Sequence, residues 1–178
     1  MNRQTMLHNR TLVIAGLLAL TACNQTPPAE PPLAGAAIGG DFTLTGEDGK
    51  QVSWEDFDGK YRTVYFGYTY CPDVCPVDTQ RAMAGLKAFE NENPALGAKI
   101  QPLFISIDPD RDTPQALTEF TGNFHPRLIG MTGTKEQLDK VTDQFAATYS
   151  IGEKQEGGGY LVGHSNITYL FGPDGEPL

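Results

Sequence analysis

The chain is poor in the residues that do redox and metal chemistry. It has three cysteines, three histidines and one tryptophan, so few positions can carry such chemistry. Basic residues are also scarce. Thirteen Lys and Arg stand against 22 Asp and Glu, a formal net charge of −9, and they form no cluster. Phosphate backbones are gripped by clustered Lys and Arg, so no nucleic-acid partner is expected. Long apolar runs are missing as well. Leu12 to Leu20 is too short to cross a bilayer as a stable helix.

That short run has a different meaning. Arg3 and Arg10 precede it and Leu20-Thr21-Ala22-Cys23 follows, the layout of a secretory signal peptide over residues 1–22. Leu-Thr-Ala-Cys also matches the bacterial lipobox, which predicts cleavage before Cys23 and a diacylglyceryl group on its sulfur. The alternative is an ordinary signal peptide with an incidental cysteine. The lipobox reading makes the protein exported, lipid-anchored to the membrane, and facing the periplasm or cell exterior. Losing Arg3 and Arg10 takes the net charge from −9 to −11. The remaining thiols are Cys71 and Cys75, and the remaining imidazoles are His125 and His164. In an oxidising compartment the two thiols pair as a disulfide unless reduced or metallated.

Residues 23–40 are rich in Pro, Ala and Gly and read as a membrane tether. Residues 41–178 read as one domain. Phe42–Leu44 and Gln51–Ser53 flank the turn Glu47-Asp48-Gly49 as a hairpin. Trp54 to Gly59 is a short helical turn. Thr63 to Tyr68 is a buried central strand leading straight to Cys71. A helix follows Pro76 to about Asn91, with Ala82, Leu86 and Phe89 as its apolar stripe. Ile100–Ile107 is the next strand, and Thr113-Pro114 opens a helix to about Phe124 as N-cap and first residue. Leu128–Met131 is a third strand. Thr134 to Gln137 is a capping box for a helix ending near Tyr149. Tyr160 to Phe171 is strand-like. The alternation predicts an α/β sheet. With two cysteines at the first major strand-to-helix junction, it predicts a thioredoxin-like fold with a peroxiredoxin-style insertion. Such a sheet normally adds a further hairpin strand and a C-terminal helix, so the C-terminal elements are read as truncated at Leu178 and the edge as uncovered.

Cys71 and Cys75 form a CxxxC pair. Proline favours the first helical turn, which makes Cys75 the expected N-cap and puts Cys71 in the turn before it. A helix N-terminus stabilises thiolate, so both thiols are expected to be acidic. A structural disulfide is the plain alternative, but so short a loop constrains little chain entropy. His164 is the second clue. Thioredoxin-like folds place a cis-proline in the loop facing the cysteines, yet no proline lies between Tyr160 and Phe171. His164 is therefore expected to face the thiols, against the alternative of a hydrogen-bonded structural histidine. Two thiolates and one imidazole suit copper, as Cu(I) or thiolate-bound Cu(II), whereas structural zinc takes a fourth ligand. Asp73 and Asp78 flank the pair and are candidates for tuning it.

Cys71-Pro-Asp-Val-Cys75-Pro76, the run Ile-Ser-Ile-Asp-Pro-Asp-Arg-Asp-Thr-Pro at 105–114, and His164-Ser165 ahead of Tyr169 to Gly175 together resemble the Sco/SenC proteins over roughly residues 38–178. The resemblance implies a membrane-tethered copper protein of thioredoxin fold that helps assemble the CuA centre of cytochrome c oxidase. It implies Cys71, Cys75 and His164 as copper ligands, with the cysteines also a redox pair exchanging with thiols of the apo-oxidase copper-centre subunit. A copper donor protein is the other implied partner. The family commonly has an acidic residue before this histidine, where this chain has Gly163.

Asp108, Asp110, Asp112 and Glu119 mimic positions 1, 3, 5 and 12 of a calcium loop, but Thr113 stands where that loop needs glycine. The acidic turn is expected instead to cap the next helix and to contribute to a partner surface. Val74-Cys75-Pro76 resembles a peroxiredoxin fragment, a reading that leaves Cys71 and His164 without a role. The sequence thus favours a copper chaperone, an assembly factor and not a turnover enzyme. A thiol-disulfide oxidoreductase is second, with Cys71 attacking and Cys75 resolving, and a peroxidase third.

Overall fold

The computed structural model describes residues 29–178. The expected signal peptide and the expected lipidation of Cys23 lie outside those residues. The compact unit that carries the site is Pro31–Leu178. Its first residues read as tether in the sequence but pack on the domain. The Gly39 N–H donates to Gln144 O at 2.8 Å, and the Leu33 N–H to Leu178 O at 3.1 Å. Ile38 is the cause: it carries apolar surface and packs against the core.

Strands β1 (Thr43–Gly46) and β2 (Gln51–Ser53) form the expected hairpin, followed by a 3-10 turn over Trp54–Phe57. Strand β3 (Tyr61–Gly67) lies parallel to β4 (Ile100–Ser106), which lies parallel to β5 (Ile129–Thr132). Covered on both faces, β3 and β4 read as near-continuous apolar runs. The final strand, β8 (Thr168–Phe171), runs antiparallel to β3. The sheet order is β2-β1-β5-β4-β3-β8, which is the thioredoxin-like arrangement. Helix α1 (Val74–Glu92) follows β3, the short α2 (Pro94–Gly97) follows α1, α3 (Pro114–Thr121) follows β4, and α4 (Lys135–Gln144) follows β5.

The sheet separates two cores. On one face Tyr65 stacks on Phe104 at 6.2 Å, and Phe104 meets Phe120 at the end of α3 at 4.8 Å. On the other, Phe145 inserts among Phe42, Trp54, Phe66 and Phe171, with ring centroids 5.3–6.2 Å away. Two of the caps read from sequence are present. Thr113 Oγ1 accepts from the Ala116 N–H, and the Thr134–Gln137 box closes in both directions.

Several boundaries differ from expectation. Helix α4 ends at Gln144, because Phe145 turns into the core and Ala146 takes a left-handed φ of +50°. Tyr149 therefore opens a strand, β6 (Tyr149–Ile151), instead of closing a helix. Helix α3 stops at Thr121, short of Phe124. The run from Tyr160 to Phe171 divides in two. Its first part, β7 (Val162–His164), pairs only with β6 in a two-stranded ribbon, and its second part is β8. The outer edge of β8 is not bare, since residues 176–178 fold back on it and the Leu178 N–H donates to Leu170 O at 2.9 Å.

Candidate metal centre

Helix α1 begins two residues earlier than proline alone suggests. Asp73 is its N-cap, but the Asp73 side chain makes no capping bond. Cys75 is thus inside the first turn and not the N-cap. Pro76 is tolerated at the third helical position, where its missing N–H is one of the four that have no intrahelical partner. The orphan N–H of Cys75 donates to Cys71 Sγ at 3.4 Å, so the first cysteine's sulfur caps the helix that carries the second. Both thiols are free.

His164 arrives from the ribbon. Its Nε2 lies 3.1 Å from Cys75 Sγ, and its Nδ1 lies 2.9 Å from Ser165 O. A carbonyl oxygen only accepts, so Nδ1 bears the ring proton and the Nε2 lone pair faces the sulfur. The Cys75 thiol donates into it. The ring is held at right angles between Tyr65 and Tyr68, at centroid distances of 6.1 and 6.0 Å. One donor atom from each of Cys71, Cys75 and His164 lies within 4.8 Å of the others, a geometry that could hold one ion. Among the described residues this is the one such group of three or more His, Cys, Asp and Glu.

The three ligand candidates differ in exposure, with His164 half-buried and both cysteines buried. Cys75 is fully buried and Cys71 is 8% exposed, so an incoming group reaches Cys71 and His164 first. Tyr70, Val74 and Val77 form an exposed apolar rim beside them. Gly67 sits behind Cys75, where a Cβ would lie 3.0 Å from the sulfur. Burial pushes the Cys75 thiol well above its ordinary pKa, with Cys71 adding in the same direction. The expectation of an acidic Cys75 is therefore overturned: desolvation outweighs the helix terminus. Burial likewise raises the Tyr65 phenol, whose hydroxyl donates to Asp78 Oδ2 at 3.3 Å. Asp78 thus reaches the site through Tyr65. No hydrogen bond of the Asp73 side chain to the site is found.

Two carboxylates of the acidic turn at 108–112 face inward, while Asp110 stays exposed. Asp108 and Asp112 are buried and spend their oxygens on Tyr160, Arg111, Thr69 and Ser106. With those oxygens committed to protein donors they form no calcium loop, and Thr113 caps the helix as expected. Gly163 points away from the thiols, with a Cβ there meeting Ser150 Oγ at 3.1 Å on the opposite face of the ribbon. Sequence reasoning missed Tyr65, Tyr68 and Gly67. Their position in the strand running into Cys71 was the available signal.

Residues 30–178 match the SCO1/SenC family. The chain belongs to that family. Human "Protein SCO1 homolog, mitochondrial" is 40% identical over 141 residues, which cover 79% of this chain and 46% of that protein. This Sco/SenC chain spans about half the length of the curated relatives it matches. Among solved structures, Arabidopsis thaliana ScoI with copper bound is 37% identical, with a TM-score of 0.74 over 80% of this chain and 86% of that one. BsSco, studied for a disulfide switch and described as a member of the Sco family of cytochrome c oxidase assembly proteins, is 28% identical. Its TM-score is 0.63 over 84% of both chains. The mixed α/β sheet is thus the thioredoxin-like fold of Sco structures. Among the described residues no helix is long and apolar enough to cross a membrane.

Proposed function

We propose that this protein is a copper chaperone that binds copper through Cys71, Cys75 and His164 and delivers it to the CuA site of cytochrome c oxidase. The observation that carries the reading is the convergence of two sulfurs and one imidazole lone pair within 4.8 Å. Soft, low-coordinate sets of this kind suit copper, whereas a structural zinc site is four-coordinate. The copper-bound Arabidopsis relative supports the metal, and the Sco family of oxidase assembly proteins to which BsSco belongs supports the destination.

Copper loading displaces the thiol protons, because the metal binds thiolate. The buried Cys75 anchors the cargo, and Cys71 and His164 are more exposed. Thiols of the apo-oxidase copper-centre subunit then replace the ligands one at a time, so the ion is never free. The apolar rim of Tyr70, Val74 and Val77 suits docking of that subunit and of a copper donor protein. Lipidation at Cys23 and export would hold the domain at the membrane, facing the periplasm or cell exterior.

Copper titration of the reduced protein, wild type against His164→Ala, tests this. Wild type binds one copper with thiolate-to-metal absorption, and the variant binds more weakly. Absence of that absorption, or equal binding by the variant, defeats the reading. One observation keeps thiol-disulfide exchange as a second reading: Cys71 is the outward thiol and Cys75 lies behind it, the layout of an attacking and a resolving cysteine. His164→Ala protein that still reduces a target disulfide rapidly, with copper binding unchanged, would favour it.

A further inference from the structure

His164 and the cysteines are held by different parts of the fold. Cys71 and Cys75 follow the central strand β3, whereas His164 sits in a ribbon outside the main sheet. No sheet register sets the distance between them. The link is the turn between β4 and α3, the same acidic run that fails as a calcium loop. One end of it grips the cysteine side. Asp112 accepts from the Thr69 N–H at 2.8 Å, from the Thr69 hydroxyl at 2.7 Å and from the Ser106 hydroxyl at 2.6 Å. Thr69 lies two residues before Cys71. The other end grips the histidine side. Tyr160 Oη donates to Asp108 Oδ1 at 2.6 Å, and Arg111 Nε donates to Asp108 Oδ2 at 2.6 Å. Arg111 Nη1 donates to Tyr160 O at 3.0 Å, and its guanidinium lies 3.6 Å over the Tyr160 ring. Tyr160 leads into β7. A third tie crosses directly, from the Val162 N–H to Tyr68 Oη at 3.3 Å.

We propose that the Asp108–Asp112 turn is a bracket that fixes His164 against the cysteine pair, with Asp108, Arg111 and Tyr160 as positioning residues for the copper site. The proposal rests on the copper reading above. Asp108 and Asp112 are 0% and 1% exposed, so these charge-assisted bonds act in a low-dielectric interior, where they are stiff. Partners one step removed from a metal typically change its affinity about 10–100-fold. The bracket moves no charge at the metal and touches no ligand atom. Its whole effect passes through where His164 sits.

That feature gives the test. Cu(I) affinity of the full chain is measured by competition with a chromophoric chelator, anaerobically, for wild type, Tyr160→Phe, His164→Ala and the double variant. Tyr160→Phe removes one hydroxyl and keeps the ring. It is expected to weaken binding about ten-fold or more in wild type and to change nothing in the His164→Ala background. An unchanged affinity in wild type, or the same loss in both backgrounds, overturns the bracket. Equal affinities of wild type and His164→Ala would instead overturn the copper reading itself. If Tyr160→Phe fails to fold, Arg111→Gln is read in the same cycle.

Discussion

Gly67→Ala adds one methyl group behind the copper site, and the structure sets what it must do. Gly67 ends β3, and a Cβ there would lie 3.0 Å from Cys75 Sγ, Phe104 Cε2 and Tyr65 Cε1. Comfortable carbon contacts lie near 3.5–4.0 Å, so all three neighbours must yield by roughly half an ångström. Cys75 and Phe104 are almost fully buried and Tyr65 is nearly so, which leaves little room to yield. Overpacking of this kind costs about 1–3 kcal/mol. For a domain of this size that is a fall in Tm of roughly 2–12 °C. The sulfur is the least bonded neighbour and gives way first, disturbing its 3.1 Å contact with His164. Copper affinity should drop about ten-fold or more, the range seen when a metal ligand loses its support. Circular dichroism melting and Cu(I) chelator competition read the two effects. A Gly67→Ala protein with unaltered Tm and unaltered affinity would refute the packing argument.

Two further outcomes follow from other parts of the fold. Gly163→Asp restores the acidic residue common in the family, but its side chain would project beside Ser150 on the far face of the ribbon. Exposed charges there are worth about 1 kcal/mol or less, so copper affinity should change by less than about five-fold; a larger gain would mean the carboxylate reaches the ligands. His125 is held neutral, first by burial and then by Lys87, with its Nδ1 accepting from the Arg127 N–H at 3.2 Å. Its folded pKa lies below 6.5, so the unfolded chain takes up its proton first. The stability this site contributes is complete above pH 6.5 and is lost as pH falls through the folded value. Melting from pH 7.5 to 5.5 should show that decline in wild type and a flatter profile in His125→Gln.

Local chemistry made much of this fold legible. Thr113-Pro114 and Thr134 to Gln137 carry complete capping instructions within four residues, and both appear as read. The β-branched and aromatic run into Cys71 could only be a buried strand, and it is. Failures came where distant residues decided. Helix α1 starts at Val74 because a sulfur four residues before Cys75 caps it, a partner outside the usual capping residues. Helix α4 stops at Gln144 because Phe145 finds five aromatic partners elsewhere in the chain.

The sequence by itself named the candidate donor atoms. Two cysteines with three residues between them and a histidine where a cis-proline is expected point to a soft ligand set, because ligand chemistry depends on residue type and short spacing. Only the tertiary structure decided how those atoms meet. Burial pushes the Cys75 thiol up where the helix start alone suggested an acidic one, since desolvation depends on everything packed around the sulfur. The fold also turned Asp108 and Asp112 of an apparently surplus acidic run inward, joining the cysteine turn to the histidine ribbon. No spacing rule foretells that, because Asp108 and Tyr160 are 52 residues apart and meet only once the chain has folded.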